Sequence, residues 1–459
     1  MTTPNDARSL IAVDLGAESC RVSILRGQNG HPHIELVYRF ANAPITKNNA
    51  LHWPLDTIVN GVEEGLRRCA EIATEGIRSI AVDGWAVDYV RLNDQGEPLD
   101  DPFCYRDARN LESEKSLHTR ITPEHLRELS GIQIQPLNTV YQQHADTLKD
   151  AHARWVNLPE YLLYRWGAKP VAEKTNATHT GLVALDGTWC KEIFEAASIR
   201  LEDAPELVEA GTIIGEYNGP IEKLRGAKLI APCCHDTAAA VAGIPAEGDD
   251  WAYISSGTWS LVGTVLEKPC NTTEAARENF TNLGAAGGRF LFHKGLSGMW
   301  LLQQSMLQWK LTDVVKLVAE AREVPSFAAN ELIDVDDPAL TQPGDMPARI
   351  NAQRAARNLS PIHEPARMAR LIFDSLAARY ATVLRSISQM TGKTFRRIYV
   401  VGGASQNELL NELTAKATGL EVIRGAVESS TIGNFAVQFA ALENDRSAAN
   451  VSRWAARLQ

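Results

Sequence analysis

Short apolar runs that end at an acidic residue or a glycine recur along the chain and predict β-hairpins. Residues Ser9–Leu15 form such a run, Gly16 breaks it, and apolar positions resume over residues 21–25. The segment 251–263 repeats this pattern, with a break at Gly257. Because a glycine between two apolar runs is typical of a tight turn, each segment predicts a strand, a turn and a strand. Two such hairpins in separate parts of the chain suggest two similarly built halves.

Helical periodicity appears in the second half of the chain. Apolar residues recur every three or four positions over 366–390, which predicts an amphipathic helix packed on a sheet. Residues 397–401 predict a buried strand, which Gly402 and Gly403 end before a second predicted helix over 407–418. Glycines between a strand and a helix let a nucleotide approach the backbone closely. A tight strand-to-helix turn without a ligand needs glycine as well.

The length of the chain also indicates more than one domain. Its 459 residues exceed the size at which a single hydrophobic core stops growing. Glycine, proline and acidic residues concentrate over 239–250, which we interpret as a hinge. We therefore predict an α/β protein with one domain over residues 1–244 and a second over residues 245–459.

Charge and composition narrow the classes of function. The net charge of −10 and the pI of about 5.6 argue against a broad surface for nucleic acid or anionic membrane. No apolar stretch approaches the roughly 18 residues of a membrane span, and no signal-peptide pattern is present, so we expect a cytoplasmic protein. Seven scattered cysteines without a CxxC pair fit reduced thiols rather than disulfides or a zinc site. Small-molecule chemistry is favoured.

Two turns and one aspartate are the candidates for that chemistry. Backbone N–H groups around Gly16 could cradle phosphate while Asp14 holds Mg²⁺ through water, and the turn at Gly257 and Thr258 could grip the same triphosphate. Each turn alone is explained equally well as an ordinary hairpin turn. Asp236 precedes a small apolar segment and is a candidate catalytic base, whereas a helix N-cap aspartate is the alternative.

Taken in order, these segments resemble the FGGY carbohydrate kinases, and within them the rhamnulokinase subfamily. The resemblance runs nearly end to end, through residues 12–17, 105–109, 131–133, 138–139, 175–178, 235–237, 255–261, 300–303, 401–403, 406–407, 427–428 and 430–434.

This resemblance implies two ribonuclease-H-like domains of the actin and hexokinase type, with the active site in a cleft between them. Residues 1–244 would bind the sugar and residues 245–459 the nucleotide. It also implies ATP-dependent phosphorylation of a ketose, with L-rhamnulose converted to L-rhamnulose 1-phosphate and Mg²⁺ as cofactor. The partners would be sugar and ATP, with neither nucleic acid nor membrane, and the protein would be a monomer or a homodimer.

The resemblance also implies a role for individual residues. Asp236 would be the general base and Asp14 would bind Mg²⁺ through water. The sugar contacts would be Asp83, Trp85, Ala86, His235 and Thr237. The ATP contacts would be Ala17, Glu18, Ser19, Cys20, Arg21, Gly257, Thr258, Gln303, Gly402 and Gly403.

The chain departs from the family pattern at several of these positions. Ala86 stands where the family has a glycine that contacts the sugar, so L-fuculose or a pentulose stays open as the substrate. Glu18 replaces a serine in the first phosphate turn, and Gly295 replaces an asparagine that contacts the nucleotide. A regulatory ATPase of the actin-like fold without a sugar site is the alternative of a different class, which the pair His235 and Asp236 argues against.

Overall fold

The computed structural model describes residues 6–28, 31–149 and 152–459. It divides into two compact units, each discontinuous in sequence. Unit 1 comprises Met1–Glu247, Val265–Phe292 and Ser429–Gln459, and unit 2 comprises Gly248–Thr264 and His293–Glu428. The assignment of residues 1–244 to sugar binding and 245–459 to nucleotide binding stays a prediction, as does the cleft.

The strands run in chain order as β1 (Ser9–Leu15), β2 (Ser19–Gln28), β3 (His31–Ala41), β4 (Ile45–Lys47), β5 (Ala50–His52), β6 (Ile77–Gly84), β7 (Tyr89–Leu92), β8 (Arg154–Asn157) and β9 (Val171–Glu173). They continue as β10 (Glu206–Val208), β11 (Thr212–Glu216), β12 (Lys228–Ala231), β13 (Trp251–Ser256), β14 (Trp259–Leu266), β15 (Thr281–Gly284), β16 (Phe290–Ser297), β17 (Arg397–Val401) and β18 (Glu421–Arg424).

The α-helices are α1 (Leu55–Ile72), α2 (Arg109–Leu117), α3 (Pro123–Ser130), α4 (Thr139–Thr147), α5 (Leu158–Arg165), α6 (Lys174–Ala177), α7 (Lys191–Ala197) and α8 (Asp236–Ala242). They continue as α9 (Thr273–Arg277), α10 (Trp300–Trp309), α11 (Val314–Arg322), α12 (Met346–Ala356), α13 (Pro365–Thr391), α14 (Glu408–Thr418), α15 (Ser429–Leu442) and α16 (Ala448–Arg457).

The sheet of unit 1 has the order β11-β12-β6-β1-β2-β3. Strand β1 pairs antiparallel with β2, from Leu10 opposite Leu25 to Leu15 opposite Cys20, so the first predicted hairpin is confirmed. All seven residues of β1 are buried because both faces are covered. Ile11 and Val13 belong to the core that includes residues of α1, whereas Leu10 and Ala12 pack with Phe435 of α15. This two-sided burial explains the continuous apolar run in the sequence.

The other six-stranded sheet has the order β15-β16-β14-β13-β17-β18. Strand β13 pairs antiparallel with β14 and parallel with β17, which confirms the second predicted hairpin. In unit 1 the strands β3, β2 and β1 lie side by side, and β6 and β12 follow next to β1 as parallel strands. In the other sheet the strands β16, β14 and β13 lie side by side, and β17 and β18 follow next to β13 as parallel strands. This repeated strand order confirms the two ribonuclease-H-like halves.

The two predicted helices of the second half of the chain are also confirmed. Helix α13 spans the periodic segment, and it ends at Gly392, whose φ of 72° is a left-handed conformation that glycine adopts without strain. None of the seven cysteines forms a disulfide in the part of the chain that the structure describes, and all but Cys270 are buried. Across the described residues, no helix is both long and apolar enough to span a bilayer.

Candidate active site

Three carboxyl groups meet where strands of unit 1 end. Asp14 on β1 and Asp83 on β6 are direct partners in the parallel register of these two strands. A single parallel bridge between Gly84 and His235 brings the start of α8, with Asp236, to the same edge of the sheet. The sequence predicted functions for all three residues, and the strand register accounts for their proximity.

Asp14 is anchored by two donors. Arg21 Nη1 donates to its Oδ2 atom at 3.2 Å, and Ser430 Oγ donates to the same oxygen at 2.7 Å. The side chain of Asp14 is only 6% exposed. The guanidinium and the hydroxyl therefore fix one oxygen of this carboxylate at the edge of the sheet.

Asp83 is fully buried beside Asp14. Asn434 Nδ2 donates to its Oδ2 atom at 2.6 Å, while Oδ1 has no hydrogen-bond partner among the described residues. Burial raises the pKa of Asp83 well above its usual range, and the neighbouring carboxylate of Asp14 raises it further. One oxygen of Asp83 is thus buried without a hydrogen-bond partner among the described residues.

Asp236 is the most accessible of the three carboxyl groups. Its side chain is 38% exposed, and it occupies the first turn of α8, whose N-cap is His235. The Oδ1 atom of Asp236 accepts from Thr237 Oγ1 at 3.2 Å and lies 3.5 Å from His235 Nε2. Burial, followed by the charge of Asp14, raises the pKa of Asp236 to about 7. The alternative that Asp236 caps the helix does not hold.

Trp85 and Ala86 lie in the loop between β6 and β7, and both are buried. Trp85 Nε1 donates to Asp88 Oδ2 at 3.0 Å, and the ring of Trp53 lies 4.5 Å from that of Trp85. Trp53 Nε1 donates to the same carboxylate oxygen. Asp88 therefore fixes the orientation of a pair of indoles next to the predicted sugar contacts.

The next residue in this loop, Val87, has a φ of 72°. This left-handed conformation is a genuine outlier for a β-branched residue and marks stored strain. Two side chains of α4 hold the Val87 carbonyl, which accepts from Thr139 Oγ1 at 2.7 Å and from Gln142 Nε2 at 3.3 Å. Backbone strain that is held by packing is typical of functional loops, and here it lies at the residue that follows Ala86.

The first predicted phosphate turn spans Ala17 to Arg21. A Cβ atom at Gly16 would lie 2.4 Å from the Ser19 carbonyl oxygen, so the turn itself requires glycine there. The Cys20 side chain points into the core and is fully buried, which leaves only its backbone for a nucleotide. Glu18 is exposed at the tip of the turn.

The remaining predicted nucleotide residues gather at one edge of the sheet of unit 2. Trp300 N donates to the Thr258 carbonyl at 3.1 Å, and Met299 N donates to the Gly257 carbonyl at 3.0 Å, so the hairpin turn is bonded to the start of α10. Gln303 follows one turn later, and its buried amide oxygen has no partner in the part that the structure describes.

Gly402 and Gly403 follow β17, the parallel neighbour of β13, and therefore lie at the same edge. Gly402 has a φ of 85°, and a Cβ atom there would lie 2.7 Å from the Ser256 carbonyl oxygen. A Cβ atom at Gly403 would meet no atom within 4 Å. Gly402 is thus required by the fold, whereas Gly403 leaves open space beside the turn.

Sequence reasoning assigned no role to Ser430 and Asn434, although both belong to a segment that carries the family resemblance. They reach Asp14 and Asp83 because α15 returns to unit 1 and packs against β1 and β6. The contacts join residues that are 416 and 351 positions apart in sequence, so no local pattern indicates them. The family resemblance is the one sequence signal that includes Ser430 and Asn434.

The donor set fits magnesium better than a metal bound entirely by protein. Nowhere in the ranges 6–28, 31–149 and 152–459 do three or more His, Cys, Asp or Glu side chains form a group that could hold a metal ion. Magnesium keeps several waters and usually binds through one or two carboxylates and substrate phosphates. Asp14, which is anchored by Arg21 and Ser430, can supply such a carboxylate.

Comparisons with known proteins agree with this arrangement. Models for the N-terminal and C-terminal domains of the FGGY family of carbohydrate kinases match residues 9–243 and 252–442. A rhamnulokinase from Enterococcus faecalis is 36% identical over 448 residues, which cover 95% of this chain and 90% of that protein.

Two solved structures show the same fold. A xylulose kinase from Lactobacillus acidophilus has a TM-score of 0.81 at 17% identity, and Plasmodium falciparum glycerol kinase with ADP has a TM-score of 0.77 at 12% identity. Each match covers 97% of this chain and 92% of the other. At such low identity these matches establish the architecture alone.

Proposed function

We propose a substrate and a mechanism for this chain, which belongs to the FGGY family of carbohydrate kinases. The reaction is the transfer of the γ-phosphoryl group of ATP to the C1 hydroxyl of L-rhamnulose. The observation that carries the reaction is the position of Asp236, a partly exposed carboxyl group between His235 and Thr237. The similarity to a rhamnulokinase at 36% identity supports the choice of sugar.

Asp236 serves as the general base in this proposal. Phosphoryl transfer asks little covalent chemistry of the protein, so alignment of the attacking hydroxyl and acceptance of its proton are the main tasks. A base whose pKa lies near neutral pH combines adequate ionisation with useful basicity. The raised pKa of Asp236, about 7, meets this condition.

His235 and Thr237 orient the base and the sugar. The Thr237 hydroxyl donates to Asp236 Oδ1, which leaves Oδ2 for the hydroxyl of the sugar. His235 is buried with its Nε2 atom 3.5 Å from the same Oδ1 atom. Trp85 and Ala86 provide apolar surface for the carbon skeleton, and the Ala86 methyl group limits the space that a substituent of the sugar can occupy.

Magnesium is the proposed cofactor, held by Asp14 through water and by the phosphates of ATP. A bound magnesium ion supplies positive charge that offsets the charge of the phosphoryl group. The protein contributes Arg21 and Ser430, which keep one Asp14 oxygen in place. The backbone of residues 17–21 is the proposed phosphate contact of unit 1, and the turns at Gly257 and Gly403 are the proposed nucleotide contacts of unit 2.

A coupled assay of ADP release tests both the reaction and the sugar. The purified protein is supplied with MgATP and, in turn, L-rhamnulose, L-fuculose, L-ribulose, D-xylulose, L-xylulose and glycerol. We expect the highest kcat/KM with L-rhamnulose, and ³¹P and ¹³C spectra of the product should place the phosphate on C1.

Other outcomes of this assay have definite meanings. A higher kcat/KM with L-fuculose or a pentulose would overturn the proposed substrate while leaving the reaction in place, and Ala86 is the residue that would explain it. ADP release that is equal with and without every sugar would overturn sugar phosphorylation and favour a regulatory ATPase of the actin-like fold.

A further inference from the structure

The backbone of Cys234 is held from both sides, directly before the catalytic segment. Its carbonyl oxygen accepts from Gly84 N at 3.0 Å, and its N–H group donates to Glu173 Oε2 at 2.8 Å. Gly84 lies between two of the proposed sugar contacts, and Cys234 lies two residues before Asp236. The Cys234 carbonyl therefore connects the two segments that form the proposed sugar site, and Glu173 holds the N–H group of the same residue.

Glu173 is positioned to fix the backbone of Cys234. It ends β9, is fully buried, and caps the N-terminus of α6. Its Oε1 atom accepts from Thr175 N at 2.8 Å, and its Oε2 atom accepts from the Thr175 hydroxyl as well as from Cys234 N. The Thr175 hydroxyl oxygen in turn lies 3.4 Å from His235 N, which donates to it.

A second buried carboxyl group, Glu160, supports the first. Its Oε1 atom accepts from Glu173 N at 3.1 Å, and its Oε2 atom accepts from Asn176 Nδ2 at 2.9 Å. Neither carboxyl group forms an ion pair with a Lys, Arg or His side chain within the described ranges. Burial raises the pKa of Glu173 to about 8 and that of Glu160 to about 7.

Two buried carboxyl groups without a cation are costly to a fold. Apolar residues could fill the same space, so stability alone does not explain their presence. The hydrogen bonds of Glu173, however, lead to the two consecutive peptide N–H groups of Cys234 and His235, directly or through Thr175. Those N–H groups determine where the backbone delivers Asp236.

We propose that Glu173 is a positioning residue for phosphoryl transfer, which holds the backbone of residues 234 and 235 so that Asp236 meets the sugar hydroxyl. This inference rests on the proposed function of Asp236. Glu173 does not touch the sugar; it acts through the peptide groups of the segment that does. Thr175 is the second member of the same device.

Glutamine substitutions separate this role from a general need for buried polar groups. In Glu173→Gln, two fixed peptide N–H groups face the two ends of the side chain, so the new NH₂ group must oppose one of them. In Glu160→Gln, the Asn176 side chain can rotate its amide, because its Oδ1 atom has no partner among the described residues and can accept from the new NH₂ group. Both variants remove one buried carboxyl group, so Glu160→Gln is the matched control.

Steady-state kinetics with L-rhamnulose and MgATP should distinguish the two variants. Displacement of a reacting group by about 1 Å costs on the order of 10²-fold in rate. We expect Glu173→Gln to lower kcat/KM for the sugar roughly 10- to 100-fold, with the KM for ATP within about twofold of the parent. Glu160→Gln should stay within about threefold of the parent in kcat/KM for the sugar.

Thr175 provides a second test if Glu173→Gln does not fold. Thr175→Val removes the hydroxyl that lies between Glu173 and His235, whereas Thr175→Ser keeps it, so Thr175→Ser should restore most of the sugar kcat/KM that Thr175→Val loses. Equal kinetics for Glu173→Gln and Glu160→Gln, or for the two Thr175 variants, would overturn the positioning role. A parent protein that phosphorylates no sugar would instead overturn the proposed function, and this inference with it.

Discussion

Asp236 is a partly exposed carboxyl group whose surroundings disfavour its negative charge. Its side chain is 38% exposed, yet burial and the carboxylate of Asp14 raise its pKa to about 7. The family resemblance implied the role of a base for this residue, whereas its position in the sequence left a helix N-cap open. Its raised pKa depends on Asp14, which lies 222 positions earlier in the chain and meets it only through the register of β1 with β6 and the bridge to His235.

The Asp236→Asn substitution tests this assignment at the level of one atom. Asparagine keeps the size of the side chain and removes the proton acceptor, and general base catalysis is typically worth about 10² to 10⁴ in rate. We expect kcat to fall by that factor while sugar and ATP still bind in equilibrium titrations. A loss of less than roughly tenfold would identify another residue as the base.

The pH dependence provides an internal control for the same variant. The base must be deprotonated to act, so kcat/KM for the sugar should rise with pH through an apparent pKa near 7 in the parent and fall on the acidic side. Asp236→Asn should show no such rise. Retention of the same pH profile by the variant would assign the titration to a different group.

Ala86 is the residue through which the pocket could select among ketoses. One methyl group in a pocket is worth about 1 to 3 kcal/mol, enough to reorder closely related sugars without abolishing the reaction. Ala86→Gly should therefore change the ratio of kcat/KM between L-rhamnulose and its best competitor, with the KM for ATP nearly constant. A ratio within about twofold of the parent would remove Ala86 from the determinants of specificity.

At the scale of elements, α8 and α15 approach each other so closely that only glycine fits between them. A Cβ atom at Gly433 would lie 1.8 Å from the Ala239 carbonyl oxygen, and one at Gly243 would lie 2.3 Å from the Ser429 carbonyl oxygen. Helix α8 carries Asp236 in its first turn. The packing of these two helices therefore determines where Asp236 lies.

Gly433→Ala should separate the helices and displace Asp236. We expect it to lower the midpoint of thermal unfolding by several degrees and kcat by about tenfold or more, because a backbone atom cannot move aside as a flexible side chain can. The matched control is Gly403→Ala, where a Cβ atom meets nothing within 4 Å and stability should be unchanged. Equal stability for both variants would contradict the tight packing of α8 against α15.

Much of this architecture could be predicted from local patterns, because the two hairpins, the helix α13 and the strand β17 are each encoded by a continuous periodic segment. The hydrogen bonds that hold the site residues in place could not be predicted from such patterns. Glu173 reaches Cys234 across 61 positions, and Asn434 reaches Asp83 across 351. The left-handed conformation of Val87 contradicts the local preference of a β-branched residue, so only tertiary contacts produce it.

At the scale of the whole molecule, unit 1 buries several carboxyl groups whose pKa values are raised by burial. Asp88 is raised to about 6, Glu160 to about 7 and Glu173 to about 8. In the unfolded chain these groups ionise near their ordinary pKa values of 3.8 for Asp and 4.5 for Glu. Between pH 6.5 and 8 the folded protein therefore binds more protons than the unfolded chain, so stability falls as pH rises.

Thermal unfolding measured across this range should show a midpoint that declines from pH 6.5 to pH 8. The decline should be shallower in Glu173→Gln, because that variant lacks a carboxyl group whose pKa in the folded state is about 8. A midpoint that rises with pH in the parent, or an identical slope in the variant, would show that Glu173 is ionised throughout the range.

The return of residues 429–459 to unit 1 has a consequence for how the protein is made. Asp14 and Asp83 leave the ribosome early, but Ser430 and Asn434, which bind them, are added only after another 182 residues beyond Glu247 have been translated. At about 5 to 20 residues per second, this interval lasts roughly 10 to 35 s. During it the sheet lacks the helix α15 that covers Leu10 and Ala12. The nascent chain therefore exposes an apolar surface that a chaperone could shield, and the proposed catalytic centre is complete only after Ser430 and Asn434 have been added.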